Sequence, residues 1–169
     1  MSKVTSSLLT VRRMAFTSPR SWEEVIESLY KATGYKINDP LPWMPQGETR
    51  EALEKSSMTR DGPFGLMLLG ELRSSNIFNH FLPENQFQSR VSQFRIGNIN
   101  LGAKLYAHTR RTPLMAPPVV IVIELQDKKG VEIVYDVPST TIGCESEEAR
   151  KVAEEEIDPK FEALVLSIL

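Results

Sequence analysis

The order of apolar and polar positions predicts two elements near the start of the chain. Residues 7–16 alternate apolar with polar side chains, which predicts a first strand. Ser21 and Glu24 have the spacing of a capping box, in which each side chain accepts a hydrogen bond from the other residue's backbone N–H. Apolar residues then recur at helical spacing as far as Gly34, whose conformational freedom favours a stop. The pattern therefore predicts a helix over residues 22–33.

Residues 38–63 break this regularity. Three prolines lie around Trp43, and Thr49 is placed to cap a short helix. We interpret the segment as an insertion laid over the core, so that residues 1–169 form a single domain. The run FGLMLLGEL that follows has the length and the flanking Gly-Pro of a buried strand.

The best-ordered pattern lies at residues 90–138. Alternation up to Ile96 predicts a strand with a bulge or an edge position. Asn98 is placed to cap a short helix. The β-branched run at 119–125 predicts a strand covered on both faces. The DKKG turn at 127–130 then predicts a hairpin and a returning strand.

The C-terminal segment predicts a helix from about Glu145 onwards. The pair Asp158-Pro159 predicts a break or kink, because proline has no N–H to donate. An apolar stripe from Phe161 to Ile168 follows it. The whole order is β, α, insertion, β, β, short α, β, β, α. It predicts the α+β class, with a single antiparallel or mixed sheet and helices packed on one face.

Composition narrows the class of protein without indicating a chemistry. The chain has 169 residues, 41% hydrophobic and 25% charged, and a net charge of −2, so we expect no nucleic-acid partner. It has no apolar run long enough for a membrane span or a signal peptide, so we expect a cytoplasmic protein without a membrane partner. Cys144 is the single cysteine, which excludes an intrachain disulfide and a cysteine metal cluster. We expect no metal and no cofactor.

Several short motifs in residues 90–138 occur together in a known family. They are Gly97-Asn98 at a strand end, spaced leucines in the small helix, a proline before the long apolar strand, and Tyr135-Asp136-Val137-Pro138. Over roughly residues 64–169 the chain resembles the family known as domain of unknown function 302. Ile99 stands where that family usually has proline, and the insertion at 38–63 has no obvious counterpart.

The resemblance implies a fold and an assembly, but no reaction. The family's fold is similar to the TATA-binding-protein half-repeat, of β-α-β4-α type, and its members are expected to be homodimers. Because the family has no agreed activity, the resemblance leaves the function open.

The candidate site residues lie between Leu69 and Phe87. His80 is surrounded in sequence by Phe78, Phe81 and Phe87, and these residues could line a pocket in which the imidazole acts as acid, base or hydrogen-bond donor. The alternative interpretation is a loop histidine packed among aromatic side chains.

Glu71 and Arg73 end the apolar strand, and alternation places them on the same side of it. They could contact a polar ligand, or they could form an edge-strand ion pair of little energetic weight. The motifs at 90–138 each have a backbone role, so we expect any site to lie upstream of them.

Three functional hypotheses follow. The first is a small-molecule-binding homodimer whose small apolar or aromatic ligand contacts Arg73, Phe78, His80, Phe81 and Phe87. The second is a cofactor-free isomerase, cyclase or lyase that uses His80 with Glu71 or Arg73 as acid–base partners. The third is a protein–protein interaction module with an exposed strand edge. The sequence does not identify a ligand or substrate.

Overall fold

The strands form one antiparallel sheet. A computed structural model describes the chain except at residues 1–2, 7, 42–46, 84–85, 87–88, 127 and 143–145. The described residues form a five-stranded sheet in the order β1-β5-β4-β3-β2, with antiparallel pairing throughout. Its strands are β1 (Arg13–Ser18), β2 (Met67–Leu72), β3 (Val91–Gly97), β4 (Val119–Glu124) and β5 (Val131–Asp136). The predicted α+β class is confirmed, and the sheet is antiparallel, not mixed.

The helices fall into an N-terminal, a central and a C-terminal group. They are α1 (Trp22–Ala32), α2 (Arg50–Met58), α3 (Ser75–Phe78), α4 (Ile99–His108), α5 (Pro138–Ile142), α6 (Glu147–Val152) and α7 (Asp158–Ile168). Short 3-10 turns cover Asn79–Phe81 and Thr112–Leu114. A π-helical turn, Ala153–Ile157, joins α6 to α7 at the position where the sequence predicts a break.

The core consists of two apolar clusters. The larger one lies between the inner face of the sheet and helices α1 and α7, and it includes Leu29, Phe94, Val122 and Phe161. The smaller one joins α4, α5, α6 and the π turn through Leu101, Leu105, Ile142, Ala149, Ala153 and Ile157. Burial of these side chains is the main force that holds the helices to one face.

The outer face of the sheet is only partly covered, so the prediction that the strand at 119–125 is covered on both faces is wrong. In β4, Val120 and Val122 are buried, whereas Val119, Ile121 and Ile123 on the opposite face are partly exposed. The β-branched run suits a pleated strand, but the helices that bury the sheet pack on its inner face. The outer isoleucines are therefore left at the surface.

Two boundaries also differ from the sequence-based expectation. The first strand begins at Arg13 instead of within residues 7–12, because its partner β5 ends at Asp136, which pairs with Arg13. The bulge belongs to β2, where the register shifts between Leu68 and Gly70, and not to β3, which is an interior strand.

The predicted start and end of α1 are confirmed. The Ser21 side chain accepts a hydrogen bond from the Glu24 backbone N–H, and the Glu24 carboxylate accepts one from the Ser21 N–H at 2.8 Å. Gly34 follows the helix with a φ of +66°. In the insertion, Thr49 caps α2 as expected, while Trp43 lies outside the described residues. The single-domain organisation and the insertion at 38–63 stay predictions.

Candidate functional site

A cavity of about 500 Å³ lies where β3 passes into α4. Its walls are the end of β3, one side of α4, the segment 112–118 and the start of α7. Its volume is within the range of about 300–1,000 Å³ that is typical of small-molecule sites. The lining side chains are almost all apolar, and they include Leu66, Leu69, Ile96, Leu101, Leu105, Pro113, Pro117, Ile157 and Phe161.

The cavity lies at the boundary between the two core clusters. Ile96 and Phe161 belong to the larger cluster, whereas Leu105 and Ile157 belong to the smaller one. Ile157 reaches the cavity from the π turn, a rare helical form that is found frequently at functional sites. The two clusters are packed by different elements, and their side chains leave this space between them unfilled.

Gly102 is the least expected residue in the lining. It lies inside α4, where glycine is less favourable than alanine by about 0.5–1 kcal/mol. A Cβ atom added there would meet no heavy atom within 4 Å, so steric crowding does not explain the glycine. By contrast, a Cβ added at Gly97 in the same lining would lie 3.2 Å from Pro117 Cβ. Because Gly102 has no side chain, the space beside it stays open and forms part of the cavity.

Two polar side chains of the lining, Asn98 and Thr112, are bonded within the protein. Asn98 Oδ1 accepts a hydrogen bond from the Leu101 N–H at 3.1 Å, as its predicted capping role requires. Asn98 Nδ2 donates to the Gly65 carbonyl at 3.0 Å and to the Asp61 carboxylate at 3.2 Å. Burial raises the pKa of the Asp61 carboxyl, and the nearby charge of Lys160 opposes that rise.

One arginine lines the cavity, and a second lies against one of the lining residues. Arg95 is an exposed lining residue on β3. The guanidinium carbon of Arg110 lies 4.5 Å from the ring centroid of Tyr106, which also lines the cavity. Within the described part of the chain, neither guanidinium forms a salt bridge with a carboxylate.

Glu71 and Arg73, two of the sequence-predicted site residues, come together at the end of edge strand β2. Arg73 Nε donates to Glu71 Oε1 at 2.7 Å, and the Tyr30 hydroxyl donates to Glu71 Oε2 at 2.8 Å. The Glu71 side chain is only 9% exposed, and both of its oxygens have a partner. This geometry matches the edge-strand ion pair that was the alternative interpretation.

Tyr30 was missed by the sequence reasoning. It lies on the apolar face of α1, and its ring centroid lies 4.7 Å from the ring centroid of Tyr35. Burial, followed by the hydrogen bond to Glu71, raises the pKa of Tyr30 to about 12. A tyrosine on a buried helix face needs a partner for its hydroxyl, and this need was the available signal.

Those of the remaining predicted site residues that the structure describes lie on an exposed turn. Phe78 ends α3 and is 62% exposed, and Phe81 in the adjoining 3-10 turn is 82% exposed. His80 lies between them and is exposed as well, while Phe87 lies outside the described residues. None of the described residues Phe78, His80 and Phe81 lines the cavity beside α4. Ligand binding at this turn stays a prediction.

Other kinds of site were sought in the same part of the chain. Among the described residues, no group of three or more histidine, cysteine or acidic side chains is arranged to hold a metal ion. No described helix combines the length and the apolar character needed to cross a bilayer. Every buried side-chain nitrogen and oxygen of the described residues has a hydrogen-bond partner.

These features define an α+β protein with one antiparallel sheet and an apolar cavity at the junction of β3 and α4. The chain is similar in structure to an uncharacterised conserved DUF302 protein from Bacillus stearothermophilus, known from its crystal structure. The two share 12% sequence identity and a TM-score of 0.62, over 93% of this chain and 98% of the other. No protein-family model and no curated protein matches the sequence.

The structural likeness confirms the fold that the sequence motifs imply. At 12% identity it establishes the fold alone, and the neighbour is itself uncharacterised. The relation of this fold to the TATA-binding-protein half-repeat stays a prediction.

Proposed function

We propose that this protein binds a small, largely apolar molecule in the cavity beside α4, and that it acts as a homodimer. The observation that carries the binding proposal is an apolar space of about 500 Å³ that the chain's own side chains leave unfilled. The cavity opens to solvent, and an apolar ligand that entered it would remove its own apolar surface and that of the lining from water, which is favourable. The kind of ligand is the one expected from the sequence, but the place differs from the turn at Phe78–Phe81.

The chemistry of the lining favours binding over catalysis. The lining residues of the cavity include no histidine, carboxylate, lysine or cysteine that could transfer a proton or attack a substrate. Each oxygen of Glu71 already accepts a hydrogen bond, one from Arg73 and one from Tyr30, and Glu71 does not line the cavity. The acid–base hypothesis with His80 stays an alternative that no contact described above favours.

A neutral fluorescent probe tests the binding proposal. N-Phenyl-1-naphthylamine is apolar and uncharged, and we expect saturable binding at one site per chain. Gly102→Leu places a side chain in the open space of the cavity and should abolish that binding. Ala107→Leu is the matched control, because Ala107 lies on an exposed position of α4 outside the lining. Absence of saturable binding to the natural protein, or full binding by Gly102→Leu, would contradict the proposal.

The homodimer proposal is supported by the outer face of the sheet. A second cavity, a groove of about 470 Å³, crosses this face and is lined by Val119, Ile121, Ile123 and Val134. Arg13 and Asp136 form an ion pair at the same groove, so its edge carries both signs of charge. A twofold contact brings the same patch together from both chains, which suits an apolar strip with opposite charges at its edge.

Light scattering of purified protein tests the dimer. We expect a mass twice that of one chain, and Ile121→Glu should reduce it to the mass of one chain. Ile77→Glu is the matched control, because it makes the same change at a 53% exposed isoleucine away from the groove. A natural protein with the mass of one chain would refute the dimer. A mass unchanged by Ile121→Glu would refute the proposed interface.

A further inference from the structure

We propose that the natural ligand of the cavity is an amphipathic anion, whose apolar body fills the space beside Gly102 and whose anionic head is held by Arg95 and Arg110. This inference rests on the proposed binding function and names the chemical class of the ligand. It rests on the contrast between the apolar lining of the cavity and the positive charges of Arg95 and Arg110.

The interior of the cavity selects for an apolar body. Two of its polar side chains, Asn98 and Thr112, are engaged in hydrogen bonds within the protein, Thr112 through its donation to the Thr109 carbonyl at 2.7 Å. A polar group of a ligand placed deep inside would therefore lose its bonds to water without replacement. The open space at Gly102 admits methylene or ring atoms.

The rim selects for a negative charge. Arg95 pairs across the sheet with Val119 on one side and Gly70 on the other, so neither neighbouring strand offers it a carboxylate. A guanidinium stays charged at all ordinary pH values and presents N–H groups that match a carboxylate in two-point contact. Its position on the lining of an apolar cavity places that charge where the head of an amphipathic ligand would emerge.

Arg110 supplies a second positive charge beside Tyr106, a lining residue of the cavity. Its guanidinium lies over the Tyr106 ring at 4.5 Å, and a cation–π contact of this kind holds the charge near the lining without neutralising it. Because the aromatic ring leaves the N–H groups of the guanidinium free at its edge, Arg110 remains able to bond an anion.

The acidic groups near the cavity are compensated by other partners. Glu156 forms a salt bridge with Lys104 at 2.6 Å. Asp61 accepts the hydrogen bonds of Asn98, and the positive charge of Lys160 attracts its carboxylate. Among the described residues, Arg95 in the lining and Arg110 beside it form no salt bridge with a carboxylate, and their charges favour an anion over a neutral or cationic head.

Displacement of the neutral probe by ligands with one tail and different heads tests the inference. Decanoate, decyl sulfate, decanol and decyltrimethylammonium have the same apolar chain and are compared below their micelle-forming concentrations. We expect the two anions to displace the probe at concentrations at least about tenfold lower than decanol, because a charge-assisted contact of this kind is worth about a factor of ten or more. The ammonium compound should be the weakest. The advantage of the anions should shrink as salt screens the exposed charges.

Arginine variants then locate the head group. Arg95→Gln and Arg110→Gln should each reduce the advantage of decanoate over decanol while probe binding is retained. Arg50→Gln on exposed helix α2 makes the same change in net charge and should leave the advantage intact.

The possible outcomes separate the two proposals. If the probe binds but decanol displaces it as well as decanoate does, the anionic head is wrong while the binding function stands. If the advantage of decanoate survives in both arginine variants, the assigned head-group site is wrong. If the probe does not bind the natural protein at a defined site, both proposals fail together. A preference for decanoate over decyl sulfate indicates a carboxylate ligand, and the reverse order indicates a sulfate- or phosphate-like head.

Discussion

The edge of the sheet at Glu71 and the cavity at Gly102 differ in how completely their groups are satisfied. At the edge, a nearly buried carboxylate receives hydrogen bonds on both oxygens, from Arg73 and from Tyr30. In the cavity, apolar side chains line open space, and Arg95 in the lining and Arg110 beside Tyr106 have no carboxylate partner among the described residues. The first arrangement uses its charges to hold strand and helix together. The second leaves both apolar surface and charge available to something else.

This comparison shows that charged side chains near a strand end are weak indicators of a site when they can form hydrogen bonds and ion pairs with each other. Burial of an unpaired carboxylate is unfavourable, so a sequence that places Glu71 at a covered edge must also supply its partners. Unfilled apolar volume is a stronger indicator, because dispersion contacts are lost along the whole wall of the cavity. Four predictions test this contrast.

The largest expected effect compares two buried leucines. Leu29 lies on α1 in the larger cluster, and Leu105 lies on α4 against the cavity, with both side chains at most 1% exposed. Leucine-to-alanine changes in a core cost about 2–5 kcal/mol, and the cost rises with the cavity that is left. We expect Leu29→Ala to lie near the upper end of this range, and Leu105→Ala to lie near the lower end, because the space left by Leu105 would join the open cavity and would not remain an enclosed void.

The measurement is the free energy of unfolding from urea denaturation of both variants. A conservative check is Leu29→Met, which keeps most of the volume and should cost less than about 1.5 kcal/mol. A loss at Leu105 as large as that at Leu29 would mean that the space beside α4 is packed as tightly as the main core.

The next effect concerns the carboxylate at the sheet edge. Glu71→Leu removes the acceptor of two hydrogen bonds and leaves the Tyr30 hydroxyl and the Arg73 guanidinium to find water. We expect a loss of about 1–3 kcal/mol in unfolding free energy, the usual consequence of an orphaned polar partner. Binding of the neutral probe should be unchanged, since Glu71 does not line the cavity.

Glu54→Leu is the control for this variant. Glu54 also pairs with an arginine, Arg50, but on an exposed helix, where such a pair contributes little. If Glu71→Leu were as harmless as Glu54→Leu but weakened the probe, the edge would be part of the binding site and the contrast would be wrong.

The particular residues explain how far sequence reasoning reaches in this protein. The capping box at Ser21 and the caps at Thr49 and Asn98 were predictable, because each depends on residues three positions apart. Strand pairing was less predictable, because the start of β1 depends on where β5 ends, more than a hundred residues later. The local pattern of residues around β1 carries no information about a strand so far away in the sequence.

The candidate site was harder to predict for the same reason. The Glu71–Arg73 pair was visible in the sequence, but Tyr30, which completes it, belongs to a helix that comes before the insertion. The cavity is formed by residues from Leu66 to Phe161, and its apolar character is indistinguishable in sequence from ordinary core. One local signal was present: Gly102 interrupts a good helix pattern at a position where no turn is needed.

A smaller effect is expected at alkaline pH. The pKa of Tyr30 is raised to about 12 in the folded protein by burial and by the Glu71 carboxylate, with Arg73 opposing the rise, against about 10 in an unfolded chain. The folded state therefore holds this proton more tightly, so the contribution of Tyr30 to stability is full below pH 10 and is lost as the pH rises from 10 to 12. Tyr30→Phe should lose stability less steeply over this interval. Urea denaturation at intervals of pH measures the difference, and parallel curves for the two proteins would contradict it.

The smallest expected effect is the most specific to the cavity. Gly102→Ala adds a methyl group in the middle of α4, where no heavy atom lies within 4 Å of it, and alanine is the better helix former. We expect the free energy of unfolding to rise by about 0.5–1 kcal/mol. Gly97→Ala, whose Cβ would lie 3.2 Å from Pro117 Cβ, should show no such gain. A gain at Gly102 alone means that the chain carries a less stable residue at a position where folding does not require it, which is the result expected if the glycine leaves room for a ligand. A loss of stability in Gly102→Ala would instead show that the space is filled in solution by the protein itself.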